Sequence, residues 1–425
     1  MSPGKKHCSL IMLRSCFFMP PFSPSFFRVL GFCLVLIAWQ RLSTARQDHT
    51  PWEMHTIDQT SQGADGVRLG DVNHDGFPDV VSGWEEGGLV RIYLNPGPLA
   101  VKKAWRQTTV GKVKSPEDAV LVDLDRDGRL DVVSCCEGKN RAVYFHWSPP
   151  TNPGDSISPK WQTQAVPAVA TKQWMFAEPA NIDHQHGIDL FIGSKGPNAE
   201  IGWLQSPANP RQLDQWKYHK LVDAGWIMSL RSVDVDGDRM EDLLVTDRKG
   251  KSRGIFYLKK SVKPEIAWRK VSFPGPSMEW MFLDWRTTGD SKFLAAATRD
   301  GVIVEFSLTV PAKTNLAGNW SRRQIKNPFE IRHGKAVSFG DIDLDGTVDW
   351  VHSTNTGVDK KNHGLPAVSW LDGKNPKLFY PISGSRGKKF DRMELVDLDL
   401  DGDLDVLTCE ERDNLGVIWF ENPTR

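Results

Sequence analysis

One nine-residue pattern constrains this chain more than any other feature. Asp397-Leu-Asp-Leu-Asp-Gly-Asp-Leu-Asp405 places carboxylates at positions 1, 3, 5 and 9 with Gly402 at position 6, and it runs straight into Val406-Leu407-Thr408. The glycine lets the backbone double back, so Asp397, Asp399 and Asp401 converge and Asp405 closes the shell. Six to eight hard oxygens in flexible geometry are what Ca²⁺ takes. An EF-hand loop starts the same way, but it needs a bidentate Glu at position 12 and a following helix. Position 12 here is Thr408, and the residues around it are apolar and β-branched. The loop therefore belongs in a strand-to-strand turn.

The same loop recurs. Asp71, Asn73, Asp75 and Asp79 form one copy, and Asp123, Asp125, Asp127 and Asp131 a second. Asp234, Asp236, Asp238 and Asp242 form a third, in which Arg239 stands where the glycine should be. Asp341, Asp343, Asp345 and Asp349 form a fourth. Two weaker copies fill the gaps. Residues 181–189 have lost charge at Asn181 and Gln185, which predicts a weak or empty site, and at 284 Arg286 puts a cation at a ligand position. His184 and His186 suggest zinc at first sight, but one turn without a third ligand is read as surface. First positions at 71, 123, 181, 234, 284, 341 and 397 give spacings of 52, 58, 53, 50, 57 and 56. Such a period, with four strands per unit, reads as propeller blades. About five Ca²⁺ sites are expected. Each would neutralise crowded carboxylates and pin a turn, a structural role and not a catalytic one.

The rest of each unit repeats as well. Third strands carry aromatic cores, as in Val90-Arg-Ile-Tyr-Leu94, Ile201-Gly-Trp-Leu204 and Gly416-Val-Ile-Trp-Phe420. Fourth strands carry Trp105, Trp161, Trp216, Trp268 and Trp320, with Phe379-Tyr380 in the sixth unit. The seventh unit has no fourth strand of its own, but Trp52-Glu-Met-His-Thr-Ile57 has the right pattern. The expectation is an all-β, seven-bladed propeller over 51–425. Its N-terminal strand would complete the last blade and leave no open sheet edge.

With Leu69-Gly70 before Asp71 and Phe339-Gly340 before Asp341, the chain resembles the FG-GAP/VCBS repeat family. Its best-known member is the integrin α-subunit headpiece, and many secreted bacterial proteins are built from such repeats. The resemblance covers essentially all of 51–425. It implies calcium loops on one face and partner binding on the other. Activity is not implied, because propellers host many.

The N-terminal stretch differs in kind. Lys5, Lys6 and Arg14 make a basic start, Val29 to Trp39 is an apolar run, and Ser43-Thr-Ala45 offers small residues for cleavage. Residues 1–45 therefore read as a secretory signal. The run is short for a membrane-spanning helix. An uncleaved anchor is the alternative, and the one route to a membrane. A secreted, periplasmic or cell-surface location follows. Lys+Arg and Asp+Glu both number 53, so nothing pulls the chain toward nucleic acid. Cys8, Cys16 and Cys33 fall in the leader. Cys135, Cys136 and Cys409 remain, an odd number without zinc spacing that does not suggest a disulfide framework.

Within a blade the first strand runs toward the Asp loop. The opposite face is therefore built from segments entering first strands and from turns after second strands. Six residues before each loop the units read Asp65, Glu117, Met175, Met228, Met278, Lys335 and Asp391. After second strands they read Glu85, Glu137, Lys195, Arg248, Arg299, Asn355 and Glu411. Blades seven, one and two are thus acidic. Blades three to five are basic and apolar, with Trp174, Trp226 and Trp280 close by, and His333, Lys335 and Lys389 stand at the seam. This sorting predicts a charged pocket at the mouth of the ring. The plainer alternative is a solvated rim, with Met and Trp as core between blades.

Two classes of function fit. One is a binding module for a saccharide or an extracellular protein. The other is a polysaccharide-degrading enzyme, since some propellers of similar build are lyases. His333 or Lys335 would then remove a proton beside a uronate carboxylate held by Arg248 or Lys195. Alternatively, Asp65 and Glu117 would serve a hydrolase as acid and base. All five Tyr fall in outer or third strands, which weakens the lyase reading. No Gly-x-Ser-x-Gly elbow or phosphate loop occurs. A passive scaffold is a third reading.

Overall fold

The computed structural model describes residues 50–150, 160–261, 268–309, 320–326, 333–356 and 366–425. The expected signal segment 1–45 and its three cysteines lie outside the described residues. The strands form seven four-stranded antiparallel sheets. In blade one, Ala64–Gly70 is innermost, followed outward by Asp79–Trp84, Leu89–Leu94 and Arg106–Lys112. Second strands are covered on both faces by neighbouring blades, so their sequences read as apolar runs without alternation. Asp131–Cys136, Asp242–Asp247, Asp349–Thr354 and Asp405–Glu410 bury every residue. Cys135, Cys136 and Cys409 are free, buried thiols within two of these strands.

Outer strands are polar because one edge faces solvent. Gln162–Ala165 exposes all four of its residues. The recurring tryptophans stand one position before these strands, not within them. Trp105 precedes Arg106–Lys112, and Trp216 precedes Lys217–Asp223. Two of them donate Nε1 to a local carbonyl, Trp105 to Val101 at 2.8 Å and Trp216 to Pro210 at 2.8 Å, whereas Trp161 Nε1 is buried without a partner.

Blade seven contains Phe390–Val396, Asp405–Glu410 and Gly416–Glu421, with Glu53–Asp58 as its outer strand. Pairing runs from Glu53 opposite Glu421 to Asp58 opposite Val417. Asp58 then reaches into blade one. Its Oδ2 accepts from Arg91 at 2.7 Å and from the Tyr93 hydroxyl at 2.9 Å, and that hydroxyl accepts from Trp84 Nε1 at 2.8 Å. His55 stacks on Trp419 with ring centroids 4.4 Å apart and meets Glu421 at 2.8 Å.

The ninth-position aspartate has a role that its place in the loop does not announce. Asp79 Oδ2 accepts from Val72 N and Oδ1 from Asn95 N, both at 2.8 Å. Asp131, Asp189, Asp349 and Asp405 repeat this brace, tying the loop's second residue to a residue just past the third strand. In blade five no such turn forms. Trp280–Thr288 and Ser291–Thr298 make a plain hairpin, and Asp284 lies in the ladder opposite Ala295.

Among the described residues two histidines are buried in the sheets. His146 bonds Ser134 and Thr163 at 2.8 and 2.9 Å, and burial pushes its pKa down to about 3. His352 is fully buried with both ring nitrogens unpartnered, and burial pushes it down to about 4. Because the folded pKa lies below the unfolded value, the unfolded chain binds more protons between pH 6.5 and 4. Stability is therefore lost as pH falls through that window, by about 3 kcal/mol for this residue. His352→Leu should be more stable than the parent at pH 4.5, with a gap that narrows above pH 6.5. Urea midpoints across pH measure it. A gap independent of pH would refute the assignment.

Candidate functional site

The mouth is built by a device repeated in every blade. Each inner strand carries a β-bulge near its start, at Asp65/Arg68, Pro116/Asp118, Trp174/Phe176, Ile227/Ser229, Trp280/Leu283, Gly334/Val337 and Phe390/Met393. A bulge re-aims the side chain it displaces. Asp65, Glu117, Met228, Met281 and Lys335 all lie at or within these bulges and line one cavity of about 200 Å³. The ends of second strands supply Glu85, Glu137, Lys195, Arg248, Arg299 and Asn355 to the same cavity, with Trp226 and Lys389. Backbone bonds fix these ends to segments entering inner strands: Glu85 N to Gly63 O at 2.6 Å, Arg248 N to Trp226 O at 2.8 Å, Arg299 N to Glu279 O at 2.9 Å.

The two charged poles meet here. Single carboxylate oxygens of Asp65, Glu85 and Glu117 lie within 4.8 Å of one another, as do those of Asp65, Asp391 and Glu411. Burial, then Asp65, pushes Glu117 up to about 7 and also raises Glu85. Lysines thread the cluster. Lys195 pairs with Glu137 and lies 3.9 Å from Glu117. Lys335 pairs with Asp391, and Lys389 with Glu411 and, at 3.4 Å, Asp391. Burial, then Lys389, pushes Lys335 down to about 7. At the basic pole Arg248 and Arg299 share Glu279, at 3.3 and 3.7 Å. Burial and then Arg299 pull Arg248 below its usual range.

Several expected residues fall elsewhere. Trp174 and Trp280 lie inside strands, and their rings are buried in the core between blades. Trp174 Nε1 donates to Val169 O at 2.7 Å. Trp226 precedes its strand and does reach the cavity, but Lys195, Arg248 and Lys249 stand over its ring at 4.6, 4.8 and 4.6 Å. Its ring braces these three cations. Met175 is core. Met278 packs against another cluster, and Met281 takes its slot because blade five lacks the loop from which positions were counted. His333 does not line the cavity; its N–H donates to Arg299 O at 2.7 Å.

One feature escaped the sequence reading. Inside the ring of inner strands, Arg68 of blade one bonds Asp118 of blade two at 3.0 and 3.2 Å and meets Glu178 of blade three at 3.4 Å. Arg392 bonds Glu394 at 3.0 Å, and burial and then Arg231 pull Arg392 down to about 10. The column three residues before each loop reads Arg68, Glu178, Arg231 and Glu394 in blades one, three, four and seven, and would have shown it.

On the other face the loops fit a hard cation. Carboxylate oxygens of Asp123, Asp125 and Asp127 lie within 4.8 Å of one another. Asp397 Oδ1, Asp399 Oδ1 and Asp236 Oδ1 are buried without a hydrogen-bond partner. The fourth position takes left-handed backbone, φ 60° at His74 and 59° at Leu400, and the sixth does so even at Arg239, φ 70°. Basic side chains already lean on several loops: Arg211 on Asp125 at 2.6 Å, Lys374 on Asp345 at 2.7 Å, and Lys259 on Asp236 and Asp238.

Ring and loops together define a propeller of Asp-loop repeats. The FG-GAP-like repeat matches residues 71–134, which span the first two strong loops of this seven-bladed propeller. A crystal structure described as BBS1N in complex with ARL6DN, soaked with mercury, is similar in fold. It has a TM-score of 0.49 and 12% sequence identity, covering 87% of this chain and 97% of that one. No curated protein matches.

Proposed function

We propose that the chain is an extracytoplasmic binding module whose mouth receives an anionic end group of a saccharide or protein partner. The observation that carries this is the basic pole. Arg248 and Arg299 open into one cavity, share a single carboxylate from Glu279, and repel each other. A carboxylate or sulfate from a ligand would complete their pairing by charge-assisted hydrogen bonds. A cavity of about 200 Å³ suits one terminal residue of a longer ligand, not a whole drug-sized molecule. The test is a thermal-shift comparison of polyuronates, sulfated polysaccharides and acidic peptides against neutral counterparts. Stabilisation by acidic ligands alone, lost in Arg299→Ala, supports the reading. Equal stabilisation by neutral ligands overturns it.

Calcium at the loops is part of this proposal. Asp71, Asp123, Asp234, Asp341 and Asp397 head the sites that would hold it, the copy at 234 more weakly because Lys259 already sits on two of its acids. A single site held at a hundredfold over its dissociation constant should add about 2.7 kcal/mol. Unfolding in EDTA and in Ca²⁺, for the parent and Asp397→Asn, measures that increment. An equal calcium shift in both would count against the last loop.

A second reading as an enzyme is favoured by one observation. Lys335 is buried at the cavity wall and, pushed down to about 7, is suited to act as a base near neutral pH. Uronate cleavage that rises through pH 7 and vanishes in Lys335→Met would favour it over simple binding.

A further inference from the structure

We infer that Asp65, Glu85 and Glu117 hold a divalent, oxygen-preferring cation at the mouth, a site separate from the loops. The argument rests on which mouth carboxylates already have counter-charges. Glu137 is paired with Lys195, Asp391 with Lys335 and Lys389, Glu411 with Lys389, and Glu279 with Arg248 and Arg299. Among the described residues Asp65 and Glu85 have no ion pair, and Glu117 has only the 3.9 Å approach of Lys195. These three are also a group whose oxygens lie within 4.8 Å of one another. Three carboxylates this close repel strongly, and Lys195, Lys335 and Lys389, which act on them from nearby but pair with other acids, offset only part of that repulsion.

Asp65 carries the point further. It is 5% exposed, it accepts no hydrogen bond from any described residue, and it lines the cavity. A buried carboxylate without a partner is costly, and a metal ion is one of the few things that offsets it. The three ligands are also held on rigid elements. Asp65 is fixed opposite Gly83 in the ladder, Glu85 N bonds Gly63 O at 2.6 Å, and Glu117 sits in the bulge between Pro116 and Asp118. An all-carboxylate set with neither His nor Cys suits Ca²⁺, Mg²⁺ or Mn²⁺ and not zinc. Three ligands leave coordination positions open toward the cavity. The neighbouring trio of Asp65, Asp391 and Glu411 is a poorer candidate because Lys335 and Lys389 already neutralise two of its members.

Equilibrium dialysis with Ca²⁺ alone, and with Mn²⁺ alone, tests the site by counting bound ions. Asp65→Asn and Glu85→Gln should each lose one equivalent relative to the parent, whereas the paired Glu137→Gln should lose none. Stability gives a second readout of opposite sign. In EDTA both variants should unfold at the same temperature as the parent or higher, because repulsion has been relieved. In saturating Ca²⁺ they should gain less than the parent. Retention of the loop equivalents shows that a variant has folded. An unchanged ion count in both Asp65→Asn and Glu85→Gln, or a calcium shift equal to the parent's, overturns the inference. Capture of anions at Arg248 and Arg299 is a separate measurement and does not depend on the outcome.

Discussion

Asp58→Ala is expected to lower stability by about 3–5 kcal/mol, because it strips the partner from a charge that stays buried. Asp58 is 4% exposed, and its Oδ2 is the acceptor for both Arg91 and the Tyr93 hydroxyl. Those groups belong to blade one, while Asp58 ends the outer strand of blade seven. The substitution thus cuts the side-chain bridge across the ring's closure and leaves the backbone ladder intact. Loosening there exposes the edge of Gly416–Glu421 to pairing with another chain. The denaturation midpoint should fall while the slope stays constant, and light scattering should rise earlier. A loss below about 1 kcal/mol would place Asp58 among ordinary surface charges.

Arg68→Ala should cost a similar amount, about 3–5 kcal/mol, for the same reason at a different place. Arg68 is 8% exposed and Asp118 1%, and the two share bonds at 3.0 and 3.2 Å inside the ring of inner strands. Removing the guanidinium leaves Asp118 buried and Glu178 short of a counter-charge. The control is the double variant Arg68→Met with Asp118→Leu. Replacing a buried pair by apolar groups is often neutral, so most of the loss should return. If the double variant is no better than the single one, the network does more than neutralise itself.

Much of this architecture was legible in the sequence because the Asp loop is local and announces its own register. Counting from Asp71, Asp123, Asp234 and Asp341 placed Asp65, Glu117, Met228 and Lys335 at the mouth, and the structure brings them into one cavity. Counting failed in blade five for the same reason. With no loop at 284 the register slipped, and Met281, not Met278, reached the cavity. Trp174 and Trp280 were misread because nearness in sequence is not nearness in a strand, where neighbours point to opposite faces. Trp226 escaped that rule by lying before its strand. The braces made by Asp79, Asp131 and their counterparts were hidden because each joins residues on two sides of a hairpin. The charges inside the ring went unseen because Arg68, Asp118 and Glu178 come from three different blades, and only Arg68 and Glu178 share the column three residues before each loop, with Asp118 off it.

The central claim is that ligands seat at the mouth and not on the loop face. The most direct measurement is an array of acidic and neutral glycans and peptides probed with three forms of the chain. These are the parent, Arg248→Ala with Arg299→Ala, and Arg211→Ala with Lys374→Ala, whose exposed bases lie on the loop face. The account predicts that acidic ligands bind the parent and the loop-face variant alike and fail to bind the mouth variant. Binding that survives the mouth substitutions and disappears with the loop-face pair would contradict it.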